Sequence, residues 1–346
     1  MRLILPPGRV SIENPVLQPM AARWSTAHLQ LHQMLLQQPL LLPKKTPLLL
    51  AVSGGQDSMA MTALLQDLQR LHEWPLLLWH GDHGLRAESA KQAQALGVWA
   101  AEQGLPIEIE PWQEPQPNEA AARRWRYSCL KRLAHEQKIA HLLTAHTATD
   151  KAETMILQAA RGSHLRGLGS LRPRRPFAAD IELVRPMLGF SREDTGRICR
   201  ELELPIWLDS SNSDPCFSRN RVRHEVLPVL ERLHPGATRR LATLSESLAQ
   251  ESDQQSELIH LALQQLMTAG RADQLNREML QTLHPANQGR VLQAWLEHQG
   301  KDPLAAESLQ RLIQRLPVIE GPGQWDLAGD AQLSWNRKWI RLQINP

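Results

Sequence analysis

An apolar run that enters a glycine-rich polar turn and leaves into an amphipathic pattern constrains the fold of this chain most. The stretch is LLLAVSGGQDSMAMTALLQ, residues 48–66. Gly54 and Gly55 allow the backbone to turn sharply and to approach a ligand closely. Ser53 and Ser58 add hydroxyl groups, and a helix beginning near Ser58 would direct its free amides toward the same place. The stretch therefore predicts a strand, an anion-binding turn and a helix, as in the nucleotide-binding edge of an α/β sheet.

The turn differs from the two most common phosphate-binding motifs. It lacks the G-x-x-x-x-G-K-[ST] of the P-loop and the G-x-G-x-x-G of the dinucleotide fold. Asp57 is present where a lysine would be expected. Because a carboxylate beside phosphates requires a bridging cation, Asp57 predicts Mg²⁺, bound directly or through water. The alternative is a tight turn in which Asp57 only caps the helix.

The alternation of strand and helix patterns continues after this turn. Strand-like runs occupy residues 48–52, 75–80, 106–110, 139–145 and 181–187, and helical patterns occupy residues 59–71, 88–103, 118–137, 149–160 and 191–203. Ser191 and Asp194 form a predicted capping pair at the last of these helices. The order predicts an α/β fold with a parallel sheet and right-handed crossover connections.

Three regions are predicted along the chain. Residues 1–46 form an N-terminal leader with one amphipathic helix in WSTAHLQLHQMLLQQ, and residues 47–234 form the α/β domain. In residues 235–346 the pattern changes to long helices followed by a β-hairpin around Asn336 and Arg337. The fold class is therefore a parallel-sheet nucleotide-binding domain followed by a smaller, mainly helical domain ending in a hairpin.

Composition limits the alternatives. A chain of 346 residues with 42% hydrophobic residues is long enough for two domains with their own cores. No apolar run reaches the roughly 20 residues of a membrane span, and no signal-peptide pattern is present, so we expect no membrane contact and a cytoplasmic location. The three cysteines form no C-x-x-C pair, which disfavours a disulfide framework or a thiolate metal site. The oligomeric state stays open, with a homodimer as one alternative.

Basic charge is concentrated although the net charge is only +3. Residues 161–175 contain five arginines and no acidic residue, and residues 219–240 contain six arginines and two glutamates. Such clusters favour a polyanionic partner, and the alternative is a solvated arginine-rich surface.

The sequence Ser-Gly-Gly-x-Asp-Ser at a strand-to-helix junction resembles the pyrophosphate loop (PP-loop) of the N-type ATP pyrophosphatases. Four further stretches occur in the order seen in the tRNA(Ile)-lysidine synthetase family, which the chain resembles over roughly residues 47–345. They are GDHGLRAES at 81–89, EAAARRWRY at 119–127, TAHTATDKAET at 144–154 and DSSNSDPCFSRNRVRHEVLPVL at 209–230.

The resemblance implies a PP-loop fold and an ATP-dependent ligase. It implies ATP as co-substrate with Mg²⁺, cleavage to AMP and pyrophosphate, free L-lysine, and an isoleucine tRNA with a CAU anticodon as partner. The product of such a reaction is lysidine at the wobble position.

The resemblance also implies roles for residues that match the family motifs. The ATP-binding residues would be Ser53, Gly54, Gly55, Gln56, Asp57, Ser58, Asp82 and His83. The catalytic residues would be Asp57, Arg126, His146, Asp150, Glu153 and Arg219, and the tRNA-binding residues would be Arg123, Arg166, Arg221 and Arg223.

The stretch that begins at His146 departs from the family pattern His-His-x-Asp-Asp-x-x-Glu-Thr. Thr147 and Thr149 replace the second histidine and the first aspartate. If the helix runs through His146, then His146, Asp150 and Glu153 share one face. Carboxylates on that face would hold Mg²⁺ or the ammonium group of lysine, and the alternative is acidic residues placed for the helix dipole.

Three other functions are alternatives for this sequence. A tRNA thiolase of the same superfamily would need a cysteine pair, and a glutamine-fed synthetase would need an amidotransferase domain with its own cysteine. An RNA-binding module without catalysis would retain the arginines but would not need Asp57 in a complete glycine turn.

Overall fold

The computed structural model describes residues 24–84, 89–113, 118–207, 218–268, 271–317, 321–327 and 331–344. Leader residues 1–23 and the motif residues 85–88 and 209–217 lie outside this part of the chain. The chain divides into two compact units, Met1–Ala249 and Gln250–Pro346.

The first unit contains a six-stranded sheet in the order β3-β2-β1-β4-β6-β5. Its strands are β1 Leu48–Ala51, β2 Leu76–Asp82, β3 Ile107–Pro111, β4 His141–Thr144, β5 Arg174–Ala178 and β6 Ile181–Val184. All neighbouring pairs are parallel except β5 with β6. The predicted fold class is thus confirmed, and β5 is an addition. Its sequence RRPFA has no apolar run, which an edge strand does not require.

Helices connect these strands, precede β1 and follow β6. They are α1 Thr26–Gln37, α2 Gln56–His72, α3 Ser89–Glu102, α4 Glu119–Glu136, α5 Ala148–Ala160, α6 Leu165–Leu168, α7 Arg192–Glu201, α8 Ser218–Arg221, α9 Leu227–Leu233 and α10 Ala237–Leu266. A π turn at Val222–Val226 joins α8 to α9 immediately before Pro228, which has no amide hydrogen to donate. The side chains of Asn118, Thr147 and Ser191 accept backbone amide bonds as N-caps.

Alternating strand residues pack on opposite faces of the first sheet. Leu48 and Leu50 lie in the core under α1, α2, α3 and α7, whereas Leu49 lies in the core under α4. Helix α1 of the predicted leader contributes Leu31 and Leu35 to the first of these cores. The carboxyl ends of the parallel strands are therefore flanked by helices on both faces, and the predicted site residues follow these ends.

The second unit contains helices and an antiparallel sheet. Its helices are α11 Arg277–Thr282, α12 Pro285–His298 and α13 Ala306–Arg315, and its strands are β7 Met267–Thr268, β8 Arg271–Asn276, β9 Gly323–Asp326, β10 Ala331–Trp335 and β11 Trp339–Ile344. The sheet order is β7-β8-β11-β10-β9. The predicted hairpin is β10–β11, and three further strands extend it. Trp295 is fully buried in the core of this unit.

The two units divide within α10, at residues 249 and 250. The domain boundary predicted from the sequence lies near His234, in the short turn between α9 and α10. Within the described residues, no helix is both long and apolar enough to span a membrane.

Candidate active site

The loop between β1 and α2 is held in shape by its own hydrogen bonds. The Ser53 amide donates to Ser58 Oγ at 3.2 Å, and Ser58 Oγ donates to the Gly55 carbonyl at 2.8 Å. Gly54 has φ +80°, and a Cβ added there would lie 3.2 Å from Trp207 Cε3. The Trp207 amide donates to the Gly54 carbonyl at 3.0 Å. Glycine is therefore required at position 54 both by its φ and by close packing.

Gln56 begins α2, but its side chain is bonded to α7. Gln56 Nε2 donates to the Arg192 carbonyl at 2.5 Å and to Thr195 Oγ1 at 2.9 Å. An added Cβ at Gly196 would lie 3.2 Å from Gln56 Oε1. The side chain of this predicted ATP-binding residue thus fixes the loop to α7, which leaves its backbone amide at the helix N-terminus for a ligand.

Asp57 lies beside the loop with both carboxylate oxygens engaged by α7. Thr195 Oγ1 donates to Asp57 Oδ1 at 2.5 Å, and Arg192 Nη1 donates to Oδ2 at 3.0 Å. Burial raises the pKa of Asp57, and Arg192 and Thr195 oppose that rise. Sequence reasoning missed Arg192 and Thr195. The available signal was an arginine in the first turn of a helix, where the dipole disfavours a cation unless it is paired.

A second group of charges joins α5 to α8 and the π turn. Glu153 is fully buried and accepts from Arg219 Nε at 2.7 Å and from Arg223 Nε at 2.6 Å. Asp150 Oδ1 accepts from Nη2 of the same two arginines, at 2.9 Å and 3.3 Å. We call these four residues the α5 ion cluster. Two carboxylates and two guanidinium groups balance each other within it.

The α5 ion cluster adjoins the loop after β1. Asp150 and Arg223 are close enough to act on the pKa of Asp57, Asp150 raising it and Arg223 lowering it. Burial would raise the pKa of Asp150, but Arg219 and the other hydrogen-bond and charge partners lower it overall. Asp150 is therefore ionised at neutral pH. Two of the predicted motifs meet at one edge of the sheet.

His146 lies outside α5. The helix begins at Ala148 with Thr147 as N-cap, so the condition for a helical face shared by His146, Asp150 and Glu153, a helix running through His146, is not met. His146 Nδ1 instead lies 2.9 Å from Thr144 Oγ1. Burial lowers the pKa of His146 to about 3, so the imidazole is neutral under ordinary conditions.

Structural contacts explain the two threonines that depart from the family pattern. Thr147 forms a capping box with Asp150, in which the Thr147 amide donates to Asp150 Oδ2 at 2.7 Å. Thr149 Oγ1 accepts from the Arg192 amide at 3.0 Å and so links α5 to α7. Both threonines stabilise the chain around Asp57 and Asp150 without adding charge.

Asp82 and His83, two of the predicted ATP-binding residues, lie at the end of β2 beside an aromatic cluster. Asp82 Oδ1 accepts from the Gly84 amide at 3.0 Å. The His83 ring packs edge-on to Trp125 with ring centroids 5.1 Å apart, and Trp125 stacks on Trp112 at 5.2 Å. The aromatic rings give this end of the site an apolar wall.

Of the other predicted arginines, only Arg223 has a described contact with Asp150 or Glu153. Arg123 and Arg126 of α4 pack near the Tyr127 ring, at 4.9 Å and 5.9 Å from its centroid. Arg166 on α6 is exposed, and Arg221 is exposed and paired with Glu225 at 3.1 Å. Arg223, predicted as a tRNA contact, is bound to Asp150 and Glu153.

Two family models match the chain. Residues 25–230 match the PP-loop domain, and residues 275–341 match the TilS substrate binding domain. Because the first match spans more than half of the chain and includes the β1–α2 loop, the α/β unit is a PP-loop domain.

Similar proteins show to which family of PP-loop proteins the chain belongs. The tRNA(Ile)-lysidine synthase of Parasynechococcus marenigrum is 50% identical over 94% of this chain and 97% of its own length. That of Prochlorococcus marinus is 40% identical over 92% of this chain and 96% of its own length. The chain belongs to the tRNA(Ile)-lysidine synthase family. A solved structure of the U34-tRNA thiolase NcsA from Methanococcus maripaludis shares the fold with TM-score 0.54 and 19% identity, over 64% of this chain and 79% of the thiolase.

Proposed function

We propose that this protein is a tRNA(Ile)-lysidine synthetase, a ligase that forms a carbon–nitrogen bond. ATP adenylates the 2-oxo oxygen of the wobble cytidine in a CAU-anticodon isoleucine tRNA, and free L-lysine displaces AMP to give lysidine. The products are lysidine-containing tRNA, AMP and pyrophosphate. The chain belongs to the tRNA(Ile)-lysidine synthase family. The observation that supports the proposal most is that Asp57 of the PP-loop is bonded to Arg192 and Thr195 of α7 beside the α5 ion cluster.

ATP would bind at the β1–α2 loop. Ser53, Gly54, Gly55 and the first amides of α2 offer donors to phosphate oxygens, and Asp82 and His83 lie at the next strand end. The absence of a lysine in the loop suits cleavage between the α and β phosphates, which is the basis for expecting AMP and pyrophosphate.

Asp57 is the side chain that would hold Mg²⁺. Within the described residues no group of three His, Cys, Asp or Glu side chains is arranged to bind a metal ion. One carboxylate nevertheless fits Mg²⁺, which in nucleotide sites takes most of its ligands from phosphates and water. Each Asp57 oxygen accepts one hydrogen bond from α7 and so keeps a lone pair for a cation. Bound there, Mg²⁺ would neutralise charge on the phosphates.

The arginines have separate proposed roles. Arg126 and Arg219 would stabilise charge that develops on the α-phosphate, and His146 would act as a neutral hydrogen-bonding group. Arg123, Arg166 and Arg221 would contact tRNA phosphates, as would residues 235–346 in the substrate-binding region. Arg223 would hold Asp150 and Glu153 in place. The carboxylates of the α5 ion cluster remain the proposed contacts of the lysine ammonium group, although arginines occupy them here.

The thiolase alternative is disfavoured by the state of the described thiols. Burial raises the pKa of Cys129 to about 12 and that of Cys199 to about 11. Both are therefore protonated and unreactive at neutral pH. The cytoplasm, where ATP, lysine and tRNA are available together, is the proposed location.

Nucleoside analysis tests the proposed function directly. CAU-anticodon isoleucine tRNA is incubated with the protein, ATP, Mg²⁺ and lysine, digested and analysed by mass spectrometry. We expect lysidine at the wobble position with stoichiometric AMP and pyrophosphate. The same tRNA with uridine at that position is the control and should remain unmodified. Release of ADP, or RNA binding without any modified nucleoside, would contradict the proposal and favour another reaction or a non-catalytic RNA-binding module.

A further inference from the structure

Arg185 follows the last residue of β6 at the carboxyl edge of the first sheet. Val184 pairs with Leu143 of β4, so Arg185 lies level with Thr144, the last residue of β4. His146 follows Thr144 by two residues. Ile181 and Leu183 pack in the core under α4, whereas Val184 packs on the other face. By the alternation of strand residues, Arg185 belongs to the α4 face. It therefore shares an edge and a face with α4 and its arginines.

The guanidinium group of Arg185 is buried and incompletely bonded. The residue is 3% exposed, and Arg185 Nη1 donates to the Arg172 carbonyl at 2.7 Å. Its Nε is buried without a hydrogen-bond partner in the part of the chain that the structure describes. No carboxylate is paired with Arg185 among these residues. A buried charge normally requires both a counter-ion and bonds for its donors.

The charged neighbours of Arg185 are mostly cations. Burial lowers the pKa of Arg185 to about 10, Tyr127 raises it, and Arg175 and Arg123 lower it further. The group is still positively charged at neutral pH. A buried donor without a partner among the described residues, with two arginines nearby, is the arrangement expected of an anion-binding site.

We propose that Arg185 binds a phosphate group of the reacting substrates. Phosphate is favoured over the single carboxylate of lysine because two further guanidinium groups, those of Arg123 and Arg175, are near enough to lower the pKa of Arg185. The phosphate has two sources, the triphosphate of ATP and the anticodon backbone of the tRNA. This inference rests on the proposed function, and it adds a binding residue that the motif comparison did not select.

The alternative role for Arg185 is structural, since its bond to the Arg172 carbonyl supports the segment before β5. Binding measurements on the full-length protein separate the two roles. Arg185→Gln removes the charge, Arg185→Lys restores it without the guanidinium geometry, and Arg200→Gln removes an exposed arginine at the far end of α7 as a matched control. ATP affinity is measured without tRNA, and affinity for a CAU-anticodon stem-loop is measured at fixed salt.

We expect Arg185→Gln to weaken one of the two affinities by about tenfold or more, the loss typical of a hydrogen bond to a charged group. Loss in the ATP arm assigns the phosphate to the nucleotide, and loss in the RNA arm assigns it to the tRNA backbone. Arg185→Lys should recover part of the loss, and Arg200→Gln should match the parent. Unchanged affinities in a folded Arg185→Gln, or an increase only in the KM for lysine, would overturn the proposal.

A spectroscopic measurement covers the case in which Arg185→Gln does not fold. In protein labelled with ¹⁵N-arginine, the Arg185 Nε–H resonance is assigned by its absence in Arg185→Lys. Addition of ATP or stem-loop should move this resonance, and an unmoved resonance at saturation would refute phosphate binding. Lysidine formation by the parent protein is measured first, so failure of the proposed function is recognised independently of the Arg185 result.

Discussion

Arg277 in the second unit and Arg185 in the first are both buried arginines, yet their guanidinium groups have different partners. Arg277 is fully buried and donates to the carbonyls of Leu316, Asn336 and Pro317 at 2.8, 2.6 and 2.7 Å. Arg185 donates to one carbonyl and keeps a buried Nε without a partner among the described residues. The first arginine completes bonds that the fold needs, whereas the second has one buried donor, Nε, without a partner among the described residues.

This difference separates structural charge from functional charge. Backbone carbonyls satisfy Arg277 without any ligand, so we expect it to affect stability alone. Asp57 and the α5 ion cluster lie between these extremes, because protein groups satisfy them at a place where a substrate is expected. Substitutions should therefore divide into those that unfold the protein and those that disable a folded one.

The largest effect on stability is expected for Arg277→Met. The carbonyls of Asn336 and Pro317 would lose their guanidinium donor in the core, and that of Leu316 would keep only Gln281 Nε2, at a cost of roughly 3 kcal/mol in the free energy of unfolding. Denaturant titration measures this loss, and Arg290→Met, on an exposed position of α12, is the matched control. ATP affinity of the folded variant should equal that of the parent. An altered ATP affinity would contradict the distinction between Arg277 and Arg185, because it would show that Arg277 affects ATP binding.

Glu153→Gln should have the next largest effect. It leaves Arg219 and Arg223 without their fully buried acceptor charge, so we expect the free energy of unfolding to fall by roughly 2 to 4 kcal/mol. Glu225→Gln removes the carboxylate of the exposed Arg221 pair and should leave stability unchanged. If Glu153→Gln keeps the stability of the parent but loses lysidine formation, Glu153 serves the substrate and not the fold.

Asp57→Asn is expected to change activity without loss of stability. Burial raises the pKa of Asp57, which means that the ionised carboxylate is costly to bury and that a neutral amide is tolerated. Formation of AMP should fall by roughly 100-fold or more because the group proposed to hold Mg²⁺ is removed. Thermal unfolding and AMP release are measured together, with tRNA affinity as the control. Normal turnover would remove Asp57 from the mechanism.

The smallest effect concerns pH. His72 stacks on Trp74 with centroids 4.2 Å apart, and burial lowers its pKa to about 4. Below about pH 6.5 the unfolded chain binds a proton at this histidine that the folded chain does not bind until about pH 4. The free energy of unfolding should therefore be constant above pH 6.5 and decrease as the pH falls toward 4. His72→Phe should show a shallower decrease, and an identical slope would exclude His72 as a cause.

Much of the fold was predictable because its signals are local. Apolar runs such as LLLAV and PLLLWH specify buried parallel strands, and Ser191 with Asp194 specifies the start of α7. The strand β5 was not predicted because RRPFA has no strand-like pattern of apolar residues. It lies at the sheet edge because it pairs with β6. In the second unit, β8 also depends on pairing, since its partner β11 lies far away in the sequence. Strands β7 and β9 are added beside β8 and β10 by pairing with segments close to them in the chain.

Only the site residues that belong to sequence motifs were predictable. The loop after β1 and the residues Asp150, Glu153 and Arg219 were selected, and the structure brings them to one edge. The partners Arg192 and Thr195, and the buried Arg185, were not selected. Their importance comes from three-dimensional proximity and burial, which neither spacing nor composition records.

The long helix α10 has a consequence for how this chain can be divided into fragments. Its first half belongs to the first unit, where Ser245 Oγ donates to the Leu168 carbonyl at 2.8 Å and Glu246 pairs with the buried Lys151 at 3.3 Å. The PP-loop match ends at residue 230, and the substrate-binding match begins at residue 275. A fragment that ends at residue 230 would therefore omit these contacts. Lys151 would then be left buried without its carboxylate. An autonomous catalytic fragment must therefore extend to Ala249, and an exchange of domains between relatives would have to be spliced inside a helix.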